Sequence, residues 1–201
     1  MHIADIIINL AIFGITAALL IVFAREDGGW TTKKLRTAFR FFTCQSNVLC
    51  AAAALLTAVA AMAGDVPRWI WTLKYIGTVA VTITMATVFI YLAPLVGKGW
   101  ADRLIRRSHD LCMHLITPLL AILSFCLLER RGMSFPWSLW GLLPVVLYGL
   151  HYLYRILYAP EGKGWDDFYS FNRHGKWKQA YVLMLAASLI LCVVFWVIQN
   201  L

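Results

Sequence analysis

Charged residues are scarce in this sequence. Only 14% of its 201 residues are Asp, Glu, Lys or Arg, whereas 61% are hydrophobic. This composition argues against a water-soluble fold, which normally carries far more charge. Several apolar runs reach the roughly 20 residues that a helix needs to cross a bilayer. The sequence therefore predicts an integral, multi-pass membrane protein.

Acidic residues are rarer than basic residues. Ten Asp and Glu stand against 18 Lys and Arg, which gives a formal net charge of +8. The basic residues form no motif interleaved with aromatic residues, so nucleic acid is not a predicted partner. In a membrane protein, an excess of Lys and Arg typically marks the loops on the cytoplasmic face.

The sequence also lacks the spacings of common metal and disulfide sites. Its five cysteines form no CxxC pair and all lie in apolar runs, so we interpret them as small packing residues. No HExxH pattern occurs. No basic segment precedes the first apolar run, which predicts a retained helix and not a cleaved signal peptide. Neither a metal nor another cofactor is predicted.

Six membrane spans are predicted, joined by short loops. Their approximate bounds are 3–24, 40–63, 69–96, 108–128, 137–158 and 178–199. The loops leave no room for a soluble domain, and no internal repeat is evident. The predicted fold class for residues 1–201 is a single all-α membrane domain, a six-transmembrane-helix bundle.

Lys and Arg are unevenly distributed between the two ends of this bundle. Only four of them lie at one end, namely Arg68, Lys74, Arg130 and Arg131. The others lie in or beside the first, third and fifth loops. The positive-inside rule predicts that these three loops are cytoplasmic and that both termini are outside. In a prokaryote the protein would then lie in the plasma or inner membrane.

The second span opens with a polar cluster. Thr43, Ser46, Asn47 and Cys50 follow the i, i+3, i+4, i+7 spacing of one helix face, whereas Gln45 points elsewhere. Ser, Thr and Asn often hydrogen-bond between membrane helices. The spacing within one helix therefore leaves two interpretations open, a contact between helices or a functional site.

The fourth span carries a second polar face. Asp110, His114 and Thr117 are spaced i, i+4, i+7, and His109 is rotated away from them. A carboxylate one turn before a histidine can hold the imidazole ring, as the third member of a nucleophile, base and orienting group does. The alternatives are a histidine that only packs in the bundle and an aspartate that stays in water.

The fifth span repeats the pattern. Its polar face comprises Tyr148, His151, Tyr152 and Arg155. Ionisable residues within membrane helices normally face the bundle interior and mark a functional site. At a rise of ~1.5 Å per residue, the three polar faces lie at a similar depth in the cytoplasmic half of the bundle. We therefore predict that they form one site.

The residue types in this site suggest nucleophilic catalysis. Threonine is a weak nucleophile that needs a neighbouring base, and His114 would be that base for Thr43 if the second and fourth spans are adjacent. Asn47, Ser46 or Tyr148 would donate hydrogen bonds to an oxyanion. The spacing alone does not establish any of these contacts.

The connection from 159 to 177 is the longest predicted cytoplasmic loop and is rich in glycine and aromatic residues. It is predicted to be an interfacial lid, with Arg155 or Arg173 placed to bind the carboxylate of a lipid. The alternative is a solvated loop with an aromatic anchor at the interface.

These motifs resemble a known family across nearly the whole chain. They are Phe42-Thr43 with Asn47, Met113-His114 with Thr117 and Pro118, Tyr148 with His151 and Tyr152, and the aromatic loop 165–171. In order and helix number they look like the androgen-induced transmembrane hydrolases and their prokaryotic six-helix relatives. The resemblance implies a metal-free threonine hydrolase that cleaves fatty acid esters of hydroxy fatty acids drawn from the bilayer. By the same resemblance Thr43 would be the nucleophile and His114 the base.

Two other function classes fit parts of the sequence. An intramembrane zinc hydrolase would use His109, Asp110, His114 and His151 as ligands, although His109 and His114 lie on different helix faces. A non-enzymatic protein would use the same polar faces to bind or transport a lipid carboxylate. The sequence predicts no oligomeric state.

Overall fold

The computed structural model describes residues 3–26, 29–97, 99 and 108–201. The structure is all-α, with 79% of residues helical, and has one short antiparallel pairing of Arg25–Glu26 with Gly29–Trp30. Basic residues that contribute to the predicted orientation, Lys98, Arg103, Arg106 and Arg107, lie outside the described residues.

Ten α-helical segments are described. In chain order they are α1 Ile3–Phe23, α2 Lys33–Ala38, α3 Phe42–Met62, α4 Arg68–Ala86, α5 Ala93–Val96, α6 Ser108–Leu111, α7 Thr117–Leu123, α8 Phe135–Ser138, α9 Leu143–Leu157 and α10 Trp177–Asn200. Three π-helical stretches continue them, at Thr87–Leu92, Cys112–Ile116 and Ser124–Leu128. Two 3₁₀ turns lie at Leu139–Leu142 and Arg173–Gly175.

Five helices among the described residues are long and apolar enough to cross a membrane. They are Ile3–Phe23, Phe42–Met62, Arg68–Leu92, His109–Leu128 and Trp177–Asn200. These helices match five of the six predicted spans to within a few residues, and they are consistent with an integral membrane protein.

The predicted span 137–158 is divided, so the count of six is not confirmed. Its residues form α8, a 3₁₀ turn and the 15-residue α9. Pro144 stands in the first turn of α9 and has no N–H to donate to a carbonyl of the preceding turn. Proline is tolerated at the start of a helix but interrupts a continuous one, which explains why a single long helix does not form here.

Prolines also explain two of the π-helical stretches. Pro94 and Pro118 lie just after Thr87–Leu92 and Cys112–Ile116. A proline leaves the carbonyl four residues earlier without its α-helical partner, and the preceding turn can respond by changing its hydrogen-bond pattern. Such stretches frequently occur at functional sites. His114 lies within the second of them.

Helices α3 and α4 approach each other closely. A Cβ atom on Gly77 would lie 2.8 Å from the Cα atom of Cys50, so only glycine fits at this crossing. Nearer the start of α3, the hydroxyl oxygens of Ser46 and Thr84 are 2.9 Å apart. Helix α3 also packs on α1. It is therefore held on two sides, and its first turn is a well-supported position for Thr43.

Candidate functional site

The side chains of Thr43 and His114 meet at one end of the bundle, which we call the site end. Thr43 Oγ1 lies 3.2 Å from His114 Nε2. Thr43 belongs to the first turn of α3, and His114 comes from the π-helical stretch before Pro118. Both side chains are half-buried. The structure thus places next to each other the two residues for which the sequence predicted roles as nucleophile and base.

The other ring nitrogen of His114 contacts the backbone. Nδ1 lies 2.9 Å from the carbonyl oxygen of Asp110. A carbonyl can only accept a hydrogen bond, so Nδ1 carries the hydrogen in this contact and Nε2 presents its lone pair to Thr43. This is the arrangement that a general base requires.

The prediction that the Asp110 carboxylate holds the His114 ring is therefore wrong, because a different group of the same residue makes the contact. The backbone of Asp110, one turn before His114, holds the ring, whereas its carboxylate lies 3.5 Å from His109 Nε2. That carboxylate is 31% exposed. An i, i+4 spacing allows either the backbone or the side chain to make the bond, and here the backbone carbonyl makes it.

Asn47 joins the two helices that carry Thr43 and His114. Its amide nitrogen donates to the carbonyls of Thr43, at 2.8 Å, and Met113, at 3.1 Å. Both amide hydrogens are thus used, and the side chain is fully buried. Asn47 is placed to position the pair and has no hydrogen left for an oxyanion.

Ser46 makes a similar connection on the other side of α3. Its hydroxyl donates to the Thr43 carbonyl at 3.1 Å and contacts the Thr84 hydroxyl. Only 1% of the residue is exposed. Its contacts therefore join α3 to α4 and support the first turn of α3 from below.

Tyr148 is buried near Thr43, but its hydroxyl points to the backbone. It donates to the Arg40 carbonyl at 2.7 Å, and its ring lies 5.0 Å from the ring of Phe42. Tyr148 therefore packs against the chain just before α3. Its hydrogen is already donated, so the predicted use of this hydroxyl for an oxyanion has no support in the geometry.

His151 and Arg155 do not join the Thr43 site. His151 is exposed, and its ring meets the edge of Trp165 at 5.2 Å. The Arg155 guanidinium lies 5.0 Å above the same Trp165 ring. The spacing placed them on the face of Tyr148 and Tyr152, but a step of three residues turns His151 about 60° from Tyr148, which is enough to expose it.

Tyr169 is a site residue that the sequence reasoning did not single out. Its hydroxyl accepts a hydrogen bond from the Phe42 N–H at 3.0 Å and lies beside the side chain and backbone of Thr43. Burial raises the pKa of the Tyr169 hydroxyl, although nearby hydrogen bonds oppose this, so it stays protonated at neutral pH. It is the phenol best placed to donate to an oxyanion at Thr43.

The loop that carries Tyr169 is organised by one carboxylate. Asp167 accepts hydrogen bonds from the Tyr152 hydroxyl at 2.9 Å, the Phe171 N–H at 2.9 Å and the Asn172 N–H at 2.7 Å. The loop rings pack around Tyr152 and reach Phe41, whose ring centroid is 4.4 Å from that of Phe168. The loop thus packs against the start of α3, and its role as a lid stays a prediction.

The first turn of α3 supplies backbone donors next to Thr43. The Phe41 carbonyl accepts the first bond of this helix, from the Gln45 N–H. The N–H groups of residues 42–44 consequently have no partner inside the helix, although that of Phe42 donates to the Tyr169 hydroxyl, and all three lie at the positive end of the helix dipole. A negative charge that develops beside Thr43 would be stabilised there.

Two cavities meet at Thr43. The larger, about 510 Å³, also contacts His114 and extends past Phe23 to Lys33 and Lys34. The smaller, about 40 Å³, lies on the opposite side of Thr43, between Tyr148 and Tyr169. Arg155 lines neither of them. Among the described residues, the lysine and arginine side chains that line the larger cavity are therefore Lys33 and Lys34 of α2, in contrast to the predicted Arg155.

A second polar cluster lies at the far end of the bundle, opposite the site end. It comprises Asp5, Asn9, Lys74, Ser124 and Glu129, each no more than 4% exposed. Lys74 Nζ donates to Glu129 at 2.9 Å, to Ser124 at 3.1 Å and to the amide oxygen of Asn9. Ser124 donates to Asp5 at 2.7 Å.

This cluster was not predicted from the sequence, although Lys74 was counted among the basic residues at this end of the bundle. Asp5 and Asn9 at i, i+4 in an otherwise apolar helix were the signal for it. Glu129 bonds the ammonium group directly and Asp5 is joined to it through Ser124, and each carboxylate has one oxygen without a hydrogen-bond partner among the described residues.

The described residues contain no group of three or more His, Cys, Asp or Glu side chains that could hold a metal ion. Of the ligands considered for a zinc site, His151 lies against Trp165, and His114 Nε2 faces Thr43. The geometry therefore gives no support to the zinc hydrolase. No protein-family model, curated protein or solved structure matches the chain.

Proposed function

We propose that this protein is an integral-membrane carboxylic ester hydrolase in which Thr43 is the nucleophile and His114 the general base. One observation carries the proposal: Thr43 Oγ1 lies 3.2 Å from His114 Nε2, while His114 Nδ1 is held by the Asp110 carbonyl. A hydroxyl, a ring nitrogen with its lone pair facing it and a group that fixes the ring make up an activated nucleophile.

The reaction follows from this geometry in two stages. His114 Nε2 takes the Thr43 proton while Oγ1 attacks the ester carbonyl, and the resulting oxyanion is stabilised by Tyr169 and the first-turn N–H groups of α3. The alcohol leaves with the proton from His114. Water, deprotonated by His114, then hydrolyses the acyl-threonine. Asn47 keeps α3 and the His114 segment in register.

The proposed substrate is a lipid ester that enters from the bilayer. Its support is the lining of the cavities at Thr43, where Phe23, Phe41 and Met113 lie on one side and Val145 and Met184 on the other. The family resemblance makes fatty acid esters of hydroxy fatty acids the specific candidates. The six-helix arrangement and the orientation with both termini outside belong to the same proposal.

An activity-based probe tests the nucleophile directly. A fluorophosphonate should phosphonylate Thr43 in the wild-type protein, because His114 activates its hydroxyl, and mass spectrometry should find the adduct on that residue. Thr43→Ala should abolish the labelling. Thr57→Ala is the matched control, because Thr57 lies on the same helix with its hydroxyl bonded to Ala53. Unchanged labelling of Thr43→Ala would disprove the proposed nucleophile.

The proposed role of His114 as the general base also predicts how the rate depends on pH. Ester turnover should fall as the pH is lowered from about 8 to about 5, since a protonated imidazole has no lone pair at Nε2 to accept the Thr43 proton. The residual turnover of His114→Ala should vary much less over this range. A wild-type rate that is flat from about pH 5 to 8 would contradict the role of His114.

A further inference from the structure

A groove of about 660 Å³ lies between α10 and the end of α4 with its π-helical extension. Ile83 and Ile90 line one wall, and Ala180, Leu183 and Ala187 line the other. The groove has a physical cause. Towards the far end, the rings of Phe195 on α10 and Tyr75 on α4 are in contact, whereas towards the site end α10 presents small alanines. The two helices therefore leave a space there.

The end of the groove nearest the 3₁₀ turn Arg173–Gly175 is basic. Arg173, His174 and Lys176 line it, and all three are exposed. The backbone here is unusual, because Ser170 and His174 have φ values of 55° and 56°, a left-handed conformation that side chains rarely adopt. The bonds of Asp167 to the Phe171 and Asn172 N–H groups hold this turn in place.

The dimensions and the charge together define the ligand. From Lys176 to Ile190 the groove follows α10 for about 21 Å, at a rise of ~1.5 Å per residue. Half of a hydrocarbon core of ~30 Å would be about 15 Å. The groove therefore spans the depth of one acyl chain, and its basic residues lie at one end only. A single-chain amphiphile with an anionic head matches both features.

We propose that this groove binds a long-chain fatty carboxylate, with the carboxylate at Arg173 and Lys176 and the hydrocarbon chain between α4 and α10. A guanidinium and an ammonium group at a membrane surface are suited to hold one carboxylate. The chain lies along Leu183, Ala187 and Ile90.

The groove also leads towards Thr43. Ile83, Thr87, Phe171 and Met184 line both the groove and the 40 Å³ cavity at Thr43. We therefore assign the fatty carboxylate to the substrate or the product of the reaction at Thr43, and this assignment rests on the proposed hydrolase function. The binding site itself does not depend on Thr43.

Photo-crosslinking tests the binding site. The full chain in phosphatidylcholine nanodiscs is incubated with a fatty acid that carries a diazirine at the end of its chain, and the adducts are mapped by mass spectrometry after illumination. We expect adducts in 180–191 or 83–91. Arg173→Gln with Lys176→Gln should reduce the yield about fivefold for each cation removed. Ala187→Trp, which fills the groove, should also lose the adducts.

Two controls separate this site from general lipid contact and from catalysis. Lys178→Gln removes a charge of the same sign beside Trp177, outside the groove, and should leave the yield unchanged. Thr43→Ala should also leave it unchanged, so retained crosslinking without ester hydrolysis would refute only the hydrolase. Three results would overturn the carboxylate site. They are equal labelling by the methyl ester of the probe, an adduct yield that does not change in the double variant, and adducts that are as frequent on α1 as in the groove.

Discussion

Ester turnover should fall by about 10²- to 10⁴-fold when His114 is replaced with alanine, the range that general acid–base catalysis contributes. The imidazole lies 3.2 Å from the Thr43 hydroxyl, with its other nitrogen bonded to the backbone. Its removal leaves a neutral hydroxyl with no acceptor for its proton. The measurement is the rate of fatty acid release from a lipid ester by equal amounts of purified protein.

The companion variants sharpen this test. Thr43→Ala should be at least as slow, and the double variant should be no slower than Thr43→Ala alone, because residues that act as a unit are non-additive. His151→Ala should retain turnover, since its ring is exposed against Trp165. If both Thr43→Ala and His114→Ala hydrolyse the ester at the wild-type rate, the proposed mechanism is wrong.

Lys74→Met should lower the free energy of unfolding by about 3–5 kcal/mol, the cost of removing one partner from a buried ion pair. The methionine side chain is unbranched and one atom shorter, and it leaves Asp5 and Glu129 without their cation at the far end. Unfolding by sodium dodecyl sulfate in mixed micelles measures the change. Acidification should reduce the deficit, because protonated carboxyl groups no longer need a cation.

A second substitution distinguishes charge from packing in this cluster. Glu129→Gln removes one of two carboxylates and keeps the ammonium with Asp5 nearby, so it should cost less than Lys74→Met. Adding Glu129→Gln to Lys74→Met should recover part of the lost stability. Lys178→Met, at an exposed lysine, should have little effect. Equal stability of Lys74→Met and the wild type would show that the buried pair contributes nothing to folding.

Helical spacing predicted much of the site, because it determines which side chains share a face. It grouped Thr43 with Ser46 and Asn47, and Asp110 with His114. It did not determine which atom of Asp110 would hold the ring, since the carbonyl and carboxylate lie at similar reach. Nor did it reveal Tyr169, whose proximity to Thr43 depends on the path of a long loop.

The fifth predicted span is the one that the structure does not confirm. Its hydropathy is that of a membrane helix, yet Pro144 and the 3₁₀ turn before it divide the segment. The predicted inward-facing side of this span also included too many residues. The neighbouring loop covers Tyr148 and Tyr152, whereas His151 is exposed. Periodicity shows that a face is polar, but packing with other elements decides which part of it is buried.

The buried cluster of charged residues at the far end was not predicted from the sequence. Asp5, Lys74 and Glu129 each lie close to a helix end, where side chains are commonly solvated. The structure instead brings them together from separate helices, with Ser124 and Asn9 supplying the remaining bonds. Such convergence depends on the neighbour order of the helices, which local spacing does not contain.

The close crossing at Gly77 has a consequence for how a lipid reaches Thr43. Because the α4 backbone almost touches that of α3 at Cys50, and Ser46 contacts Thr84 above it, α3 and α4 must move together. An opening route through that seam is therefore closed. A lipid substrate of the proposed hydrolase would instead reach Thr43 through the cavity that contacts His114, Lys33 and Lys34, or along the groove beside α10, without any separation of α3 from α4.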